Sequence, residues 1–431
     1  MNPTPSSTHL VSSITTRDFG SATIRIGDLN GDGAPDLLFI QSVYGSREIS
    51  CLTATTIFGE KLWQTGVPSA DNGQIYSDLP VQIYDWDNDG VNEVLYIRQA
   101  KYAEPIEYGE RKVRERAKRY EGSATMVVLN GNTGQEKTSF PIPAPADDSF
   151  LFADLTGRGR REDFVVKDRY WNMWGISRTG EVLWHWKGST GHYPAIADVD
   201  DDGRDEVFVG YALIDHDGKV LFQKEWDGED PWGCPGHQDA AYITRLPNGS
   251  LRLLFGNHGV HCLSVDGTEL WYHPMQEAQH VVVGRYRADS SLQAAVIDRG
   301  YPRTAEGSPA TLYLFDVETG KEIWKRPQLP GGWCAACLDI YWTGTDGRKE
   351  IMVYNRGTGA PIAIYDGNGT IVEEVNVNVP PGEDYFCCRA DLWGDNRDEV
   401  IDFNPTEIRI HANAHPLAVP TLYNNTIYHG M

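Results

Sequence analysis

The stretch Asp198-Val-Asp200-Asp-Asp202-Gly-Arg-Asp-Glu206 lies between two short apolar runs, Ala195-Ile-Ala197 and Val207-Phe-Val209. Two extended arms joined by an acidic, glycine-bearing turn make a hairpin. Working outward, the preceding strand pair closes on Thr179-Gly-Glu-Val-Leu-Trp184, a turn that recurs as Phe58-Gly-Glu-Lys-Leu-Trp63, Asp266-Gly-Thr-Glu-Leu-Trp271 and Glu318-Thr-Gly-Lys-Glu-Ile-Trp324. Copies of the hairpin itself start near Ile24, Val81, Leu151, Ala195, Ala241, Val281, Ala336 and Cys388. A period of roughly 40–60 residues made of four short strands predicts a β-propeller, whose blades bury their faces only against neighbouring blades. The chain is therefore expected to be all-β, a single eight-bladed ring over 19–415 with an N-terminal arm, 1–18, and a C-terminal tail, 416–431. Seven blades are the alternative, because the last copy is short.

Composition agrees with a folded strand-and-turn protein. The 431 residues include 44 Gly and 47 aromatics, with 40% hydrophobic and 23% charged side chains. With 61 acidic against 38 basic residues the net charge is −23, the wrong sign for a nucleic-acid binder. No apolar run approaches the roughly 18 residues of a membrane span. Seven cysteines (51, 234, 262, 334, 337, 387, 388) are odd in number and lack the paired spacing of a zinc site, so free buried thiols are expected. The first ten residues show neither a basic nor an apolar signal region, which predicts a cytoplasmic protein if this N-terminus is native and a secreted one if a signal peptide preceded it. One segment, 102–122, interrupts the second blade, with six basic residues between Arg111 and Arg119. It reads as a solvated excursion or as a lid over an anionic ligand.

Three hairpin turns match a calcium loop. They are Asp28, Asn30, Asp32 and Asp36; Asp85, Asp87, Asp89 and Glu93; and Asp198, Asp200, Asp202 and Glu206. Oxygen donors at positions 1, 3, 5 and 9, with Gly at 6, suit a hard divalent cation. Two copies have decayed. Arg158 replaces a ligand in Asp154-Leu-Thr-Gly-Arg158, where an internal cation is expected instead of metal, and Trp393 replaces one in Asp391-Leu-Trp-Gly-Asp395. Calcium is expected as the cofactor, chiefly structural.

Strand direction divides the ring into two ends. The hairpin between the first and second strands lies opposite the entrance to the first, so the acidic loops and the first-strand entrances occupy different ends. At the entrances stand His192, His237 and His280, and at the ends of second strands stand Tyr211, His258, Arg299 and Tyr301, all predicted to converge on one mouth. Eight of the twelve histidines lie between 185 and 280; His216 and His273, at blade edges, fall outside this set. Basic residues (Arg98, Lys101, Lys167, Arg169, Arg303, Arg356) are expected at the same mouth, favouring an anionic ligand. Aromatics there, including Trp333 and Tyr385, suit a sugar ring.

Specific segments resemble a known family. Ala197-Asp-Val-Asp-Asp-Asp-Gly-Arg-Asp-Glu-Val207, Gly236-His-Gln-Asp-Ala240 and Arg389-Ala-Asp-Leu-Trp-Gly-Asp-Asn-Arg-Asp-Glu-Val400 are similar to segments of the rhamnogalacturonan lyases built on an eight-bladed propeller with bound calcium. The His/Tyr/Arg mouth also looks like those of propeller lyases acting on ulvan or rhamnose–glucuronate linkages. The resemblance implies β-elimination at a uronic acid of an anionic polysaccharide or oligosaccharide. A base must take the C5 proton, a cation must neutralise the carboxylate, and an acid must protonate the departing O4. His237 or His192 would be the base; Tyr301, Tyr193 or the same histidine the acid; Arg299, Arg389, or calcium held with Asp239 the neutralising charge. A glycoside hydrolase using two of Asp148, Asp239, Glu277, Asp298 and Glu383, or a non-catalytic sugar-binding propeller, are the rival expectations. A monomer without membrane or nucleic-acid partner is expected.

Overall fold

The computed structural model describes residues 8–20, 23–43, 48–69, 78–99, 124–146, 150–168, 172–225, 238–289, 291–300, 309–328, 332, 334–344 and 347–415. The 102–122 segment and the 416–431 tail lie outside them. Among the described residues every element is a strand, and the strands form eight four-stranded antiparallel sheets arranged as an eight-bladed propeller. We number the blades 1 to 8 from the sheet that starts at Thr23.

Burial follows strand position. The second strand of blade 1, Asp36–Ser42, is buried throughout, since it has a blade on either side. Its central residues read as the unbroken apolar run Leu37-Leu38-Phe39-Ile40. The fourth strand of blade 3, Val182–Lys187, lies at the rim and alternates, with Trp184 and Trp186 buried between exposed neighbours. The cores therefore sit between blades: Leu38, Ile40 and Trp63 of blade 1 pack on Val81, Val94 and Val127 of blade 2.

Two side-chain devices recur around the ring. The last acidic residue of the hairpin turn accepts the amide of the turn's second residue: Leu29 to Asp36, Trp86 to Glu93, Leu155 to Asp163, Val199 to Glu206, Trp342 to Glu350 and Leu392 to Glu399. In blade 6 Gln293 accepts the Tyr286 amide in the same way. The tryptophan that ends the rim turn donates its indole N–H to the rim turn of the next blade. Trp63 reaches Gly131 O, Trp184 reaches His216 O at 2.7 Å, Trp271 reaches Val317 O and Trp324 reaches Gly367 O. Gly218 in blade 4 permits this approach. It has φ +87, and a Cβ there would lie 2.6 Å from that of Trp184.

Ring closure departs from the expected boundaries. Thr8–Thr15, read above as part of an arm, pairs antiparallel with Glu407–Asn413 and is the outer strand of blade 8. The last copy is short because its fourth strand comes from the other end of the sequence. Cys51, Cys262, Cys337, Cys387 and Cys388 are free thiols, all but Cys388 buried, as the spacing predicts.

Candidate active site

The entrance to the first strand of blade 4 is fixed from both sides. Lys167 of blade 3 is buried and its Nζ donates to Gly191 O at 2.9 Å; the His192 amide donates to Gln238 O at 2.9 Å. Gly191 adopts φ +57, and a Cβ there would come within 2.4 Å of the Gln238 side chain. Lys167 was expected to face substrate; it braces the loop that carries His192 instead.

Beside that loop lies a cluster shared by three blades. His192 Nε2 is 3.7 Å from Asp239 Oδ1, just ahead of the blade 5 strand Ala240–Arg245. Gln279 of blade 6 donates from Nε2 to the same oxygen at 2.9 Å. Burial pushes the Asp239 carboxyl well above its ordinary range, and nearby Glu277 pushes it further, against the opposing pull of His192, Arg299 and the Gln279 bond. Glu277 is itself paired with Arg299, Oε1 to Nη1 at 2.5 Å, and the two backbones are joined by Arg299 N to Glu277 O at 2.9 Å. His280, in the first strand of blade 6 (Ala278–Gly284), is pushed down to about 4 by burial and next by the Arg299 charge, so its imidazole is neutral near pH 7. Tyr193 is 41% exposed beside His192, with ring centroids 6.5 Å apart.

The other expected residues divide clearly. His258 occupies the turn between Leu251–Gly256 and Gly259–Leu263, its Nε2 buried without a hydrogen-bond partner among the described residues. Tyr211 is buried against Phe255, its hydroxyl accepting from Asn257 Nδ2 at 2.9 Å, so it serves the blade 4–blade 5 contact. Arg356 is held by Asp384 through two contacts of 2.7 and 2.5 Å, over the Phe386 ring. Tyr385 is fully buried in the core with Trp342 and Tyr354, away from any sugar. Arg389 is on the strand Phe386–Ala390, next to the Asp391 turn, and binds Asp339 and Asp398 at the loop end of the ring. It is therefore apart from the mouth. His237, Tyr301, Arg169 and Trp333 lie outside the described residues. Sequence reasoning missed Gln279; its only signal was its place two residues after Glu277 on an entering strand.

The acidic loops do not share one state. In blade 1, both Asp28 oxygens accept amides of the loop, from Gly31 and Gly33, and Asn30 donates to Asp32. Among the described residues no triad of carboxylate oxygens gathers there. In blade 2, Asp85, Asp87 and Asp89 do gather, but the Lys137 ammonium lies 2.6 Å from Asp87, 3.1 Å from Asp89 and 2.8 Å from the fully buried Glu93. The three carboxylates together raise the Lys137 pKa despite its desolvation, so the ammonium keeps its charge. A lysine thus stands where calcium was expected. In blade 3 the expected internal cation is absent: Arg158 turns to Glu162, and Asp154 is satisfied by the amides of Arg158, Gly159 and Arg160. In blade 4, Asp198, Asp200 and Glu206 gather. Glu206 is fully buried, with Oε1 lacking any hydrogen-bond partner among the described residues. Among the described residues, this set and Asp85, Asp87 and Asp89 both have the carboxylate grouping that could hold a divalent ion.

Known proteins resemble this chain. A model of the rhamnogalacturonan lyase family 11 C-terminal domain matches residues 161–244, which contain His192, Asp239 and the blade 4 loop. The rhamnogalacturonan exolyase YesX of Bacillus subtilis (strain 168) is 22% identical over 90% of this chain and 70% of its own length. The rhamnogalacturonan endolyase YesW of the same organism is 25% identical over 52% of this chain and 41% of its own. The crystal structure of YesX covers 94% of this chain and 73% of that one, with TM-score 0.63 at 20% identity, which establishes a shared ring. In sequence this chain is similar to rhamnogalacturonan lyases, and in fold it shares their ring.

Proposed function

We propose that the chain is a polysaccharide lyase that cleaves rhamnogalacturonan by β-elimination at the mouth formed by blades 4, 5 and 6. The similarity to YesX and YesW supports the substrate and reaction class. The observation that carries the chemistry is the cluster that blades 4, 5 and 6 share, His192 beside Asp239, Gln279 on Asp239, and Arg299 paired with Glu277.

Elimination needs a base, a charge clamp and an acid. The C5 proton of a uronate is weakly acidic, and a cation at the carboxylate stabilises the enolate-like charge that forms when it leaves. Arg299, held in its ion pair with Glu277, is the cation proposed to meet the substrate carboxylate. His280, neutral near pH 7, accepts the C5 proton; His192, backed by Asp239, is the second base at this mouth. The C5–H electron pair becomes the C4=C5 bond, the C4–O4 bond breaks, and O4 takes a proton from Tyr193 or His192. His237 and Tyr301 remain candidates by sequence position alone. A divalent ion held by Asp198, Asp200 and Glu206 would secure the blade 4 hairpin at the far end of the ring and takes no part in the step.

Rhamnogalacturonan incubated with the protein should gain the ultraviolet absorbance of an unsaturated uronate. New reducing ends without that absorbance would overturn elimination and select hydrolysis. That second reading rests on Asp239, whose carboxyl is pushed up to about 7 by burial and then by Glu277, the kind of split an acid–carboxylate pair requires. YesX and YesW differ in mode, so early product lengths decide between chain-end and internal attack.

A further inference from the structure

The blade 4 loop has a neighbour that the sequence pattern does not include. The rim turn of the same blade, Asp215-His-Asp-Gly218, brings His216 to the loop, with Nδ1 3.7 Å from Asp202 Oδ2. Asp202, Glu206 and His216 each offer a ligand atom, and the three atoms lie within 4.8 Å of one another. The triad Asp198, Asp200 and Glu206 meets the same limit. Glu206 belongs to both. One of its oxygens accepts the Val199 amide at 2.7 Å, and the other is buried and unpartnered. A buried carboxylate oxygen facing other carboxylates without a donor is unfavourable, and a cation at that point removes the penalty.

His216 is positioned independently of any ion. Its carbonyl accepts the Trp184 indole N–H at 2.7 Å and its amide donates to Asp215 Oδ1 at 2.8 Å. Its Nδ1 lies 2.7 Å from the same Asp215 oxygen, yet makes no hydrogen bond of acceptable geometry. An imidazole nitrogen held in this way is a ready ligand, and it changes the chemistry of the site. Calcium favours an all-oxygen shell, whereas imidazole nitrogen suits first-row transition cations.

We propose that blade 4 carries a mixed imidazole–carboxylate metal site, built from Asp198, Asp200, Asp202, Glu206 and His216, that takes a transition cation such as Mn2+ or Zn2+ in preference to Ca2+. The proposal is independent of the lyase reading, because it concerns the opposite end of the ring and is tested without substrate.

The full chain, stripped with chelator, is titrated separately with Mn2+, Zn2+ and Ca2+, following bound metal by equilibrium dialysis and melting temperature by calorimetry. Mn2+ or Zn2+ should bind about 10-fold or more tightly than Ca2+. His216→Ala should erase that preference while changing Ca2+ affinity about 2-fold at most. Electron spin-echo spectroscopy of the Mn2+-loaded wild-type protein should show one imidazole nitrogen coupled to the metal, and this readout stands even if the variant misfolds. Calcium binding as tightly as Mn2+ and Zn2+, an unchanged preference in His216→Ala, or a Mn2+ spectrum without nitrogen coupling would each overturn the proposal.

Discussion

At the mouth, the charged groups belong to different blades: His192 to blade 4, Asp239 to blade 5, Gln279, Glu277, His280 and Arg299 to blade 6. At the loop end, the two sets that gather around an acidic hairpin each belong to one blade, Lys137 with Asp87, Asp89 and Glu93 in blade 2, and His216 with Asp202 and Glu206 in blade 4. The residue types are alike, but the consequences differ. Charges shared across blades can be redistributed by a ligand without undoing any hairpin. Charges confined to one blade hold that blade together, so altering them reaches the fold before it reaches the chemistry.

The largest effect should come at the mouth. His280→Ala should cut turnover on rhamnogalacturonan by about 100-fold or more, as for other lost proton-transfer groups, with little change in the denaturation midpoint. A comparable loss of stability would erase the distinction between the two ends. The same residue has a pH signature. Folded, its imidazole stays neutral down to about 4, while an unfolded histidine protonates near about 6.5. The unfolded state therefore binds more protons in that window, and stability falls as pH drops through it. Urea midpoints measured across the window should fall less steeply for His280→Ala.

Next in size is Lys137→Met. It leaves three carboxylates around a vacated point, Glu93 buried and Asp87 and Asp89 part-exposed, and should cost about 2–3 kcal/mol, less than breaking a fully buried ion pair. Millimolar calcium should restore much of this, since the vacated cradle has the ligand pattern of an ion loop. No rescue would mean that blade 2 has lost the geometry as well as the ion. Chelation of the wild-type protein is smaller, about 1–3 kcal/mol depending on how far metal exceeds its dissociation constant. It should loosen hydrogen exchange in residues 195–223 and spare blade 2. Trp184→Phe should be smallest, about 1 kcal/mol for one indole hydrogen bond, together with weaker metal binding because the His216 carbonyl loses its tether.

The ring was legible because its signals are local. The acidic hairpins and rim tryptophans each need fewer than ten consecutive residues, and their period counts the blades. Strand direction assigns His192, His280 and Arg299 to one end, and in the structure the three lie close enough to act on one another electrostatically. It would have placed Arg389 at the other, since the strand Phe386–Ala390 carries it to the loop side. What escaped were partners from another strand. Nothing in Glu136-Lys-Thr marks Lys137 as the counter-ion of a loop some fifty residues earlier. His216 looked like an exposed turn because its neighbour Asp202 is on a different hairpin. Tyr385 shows the remaining limit: one position along a strand separates a side chain facing the mouth from one in the core.

The strand that completes blade 8 has a consequence for how the chain is made. Ser13 meets Glu407 across 394 positions, so the earliest strand of this sequence has no partner until nearly the last has emerged. At roughly 5–20 residues per second that interval is about 20–80 s, during which an unpaired strand edge and an open blade are exposed together. The separation costs speed more than stability, because each doubling of loop length adds only about 0.6 kcal/mol. Synthesis rate and chaperone access, rather than the strength of the finished ring, therefore set the yield of closed molecules.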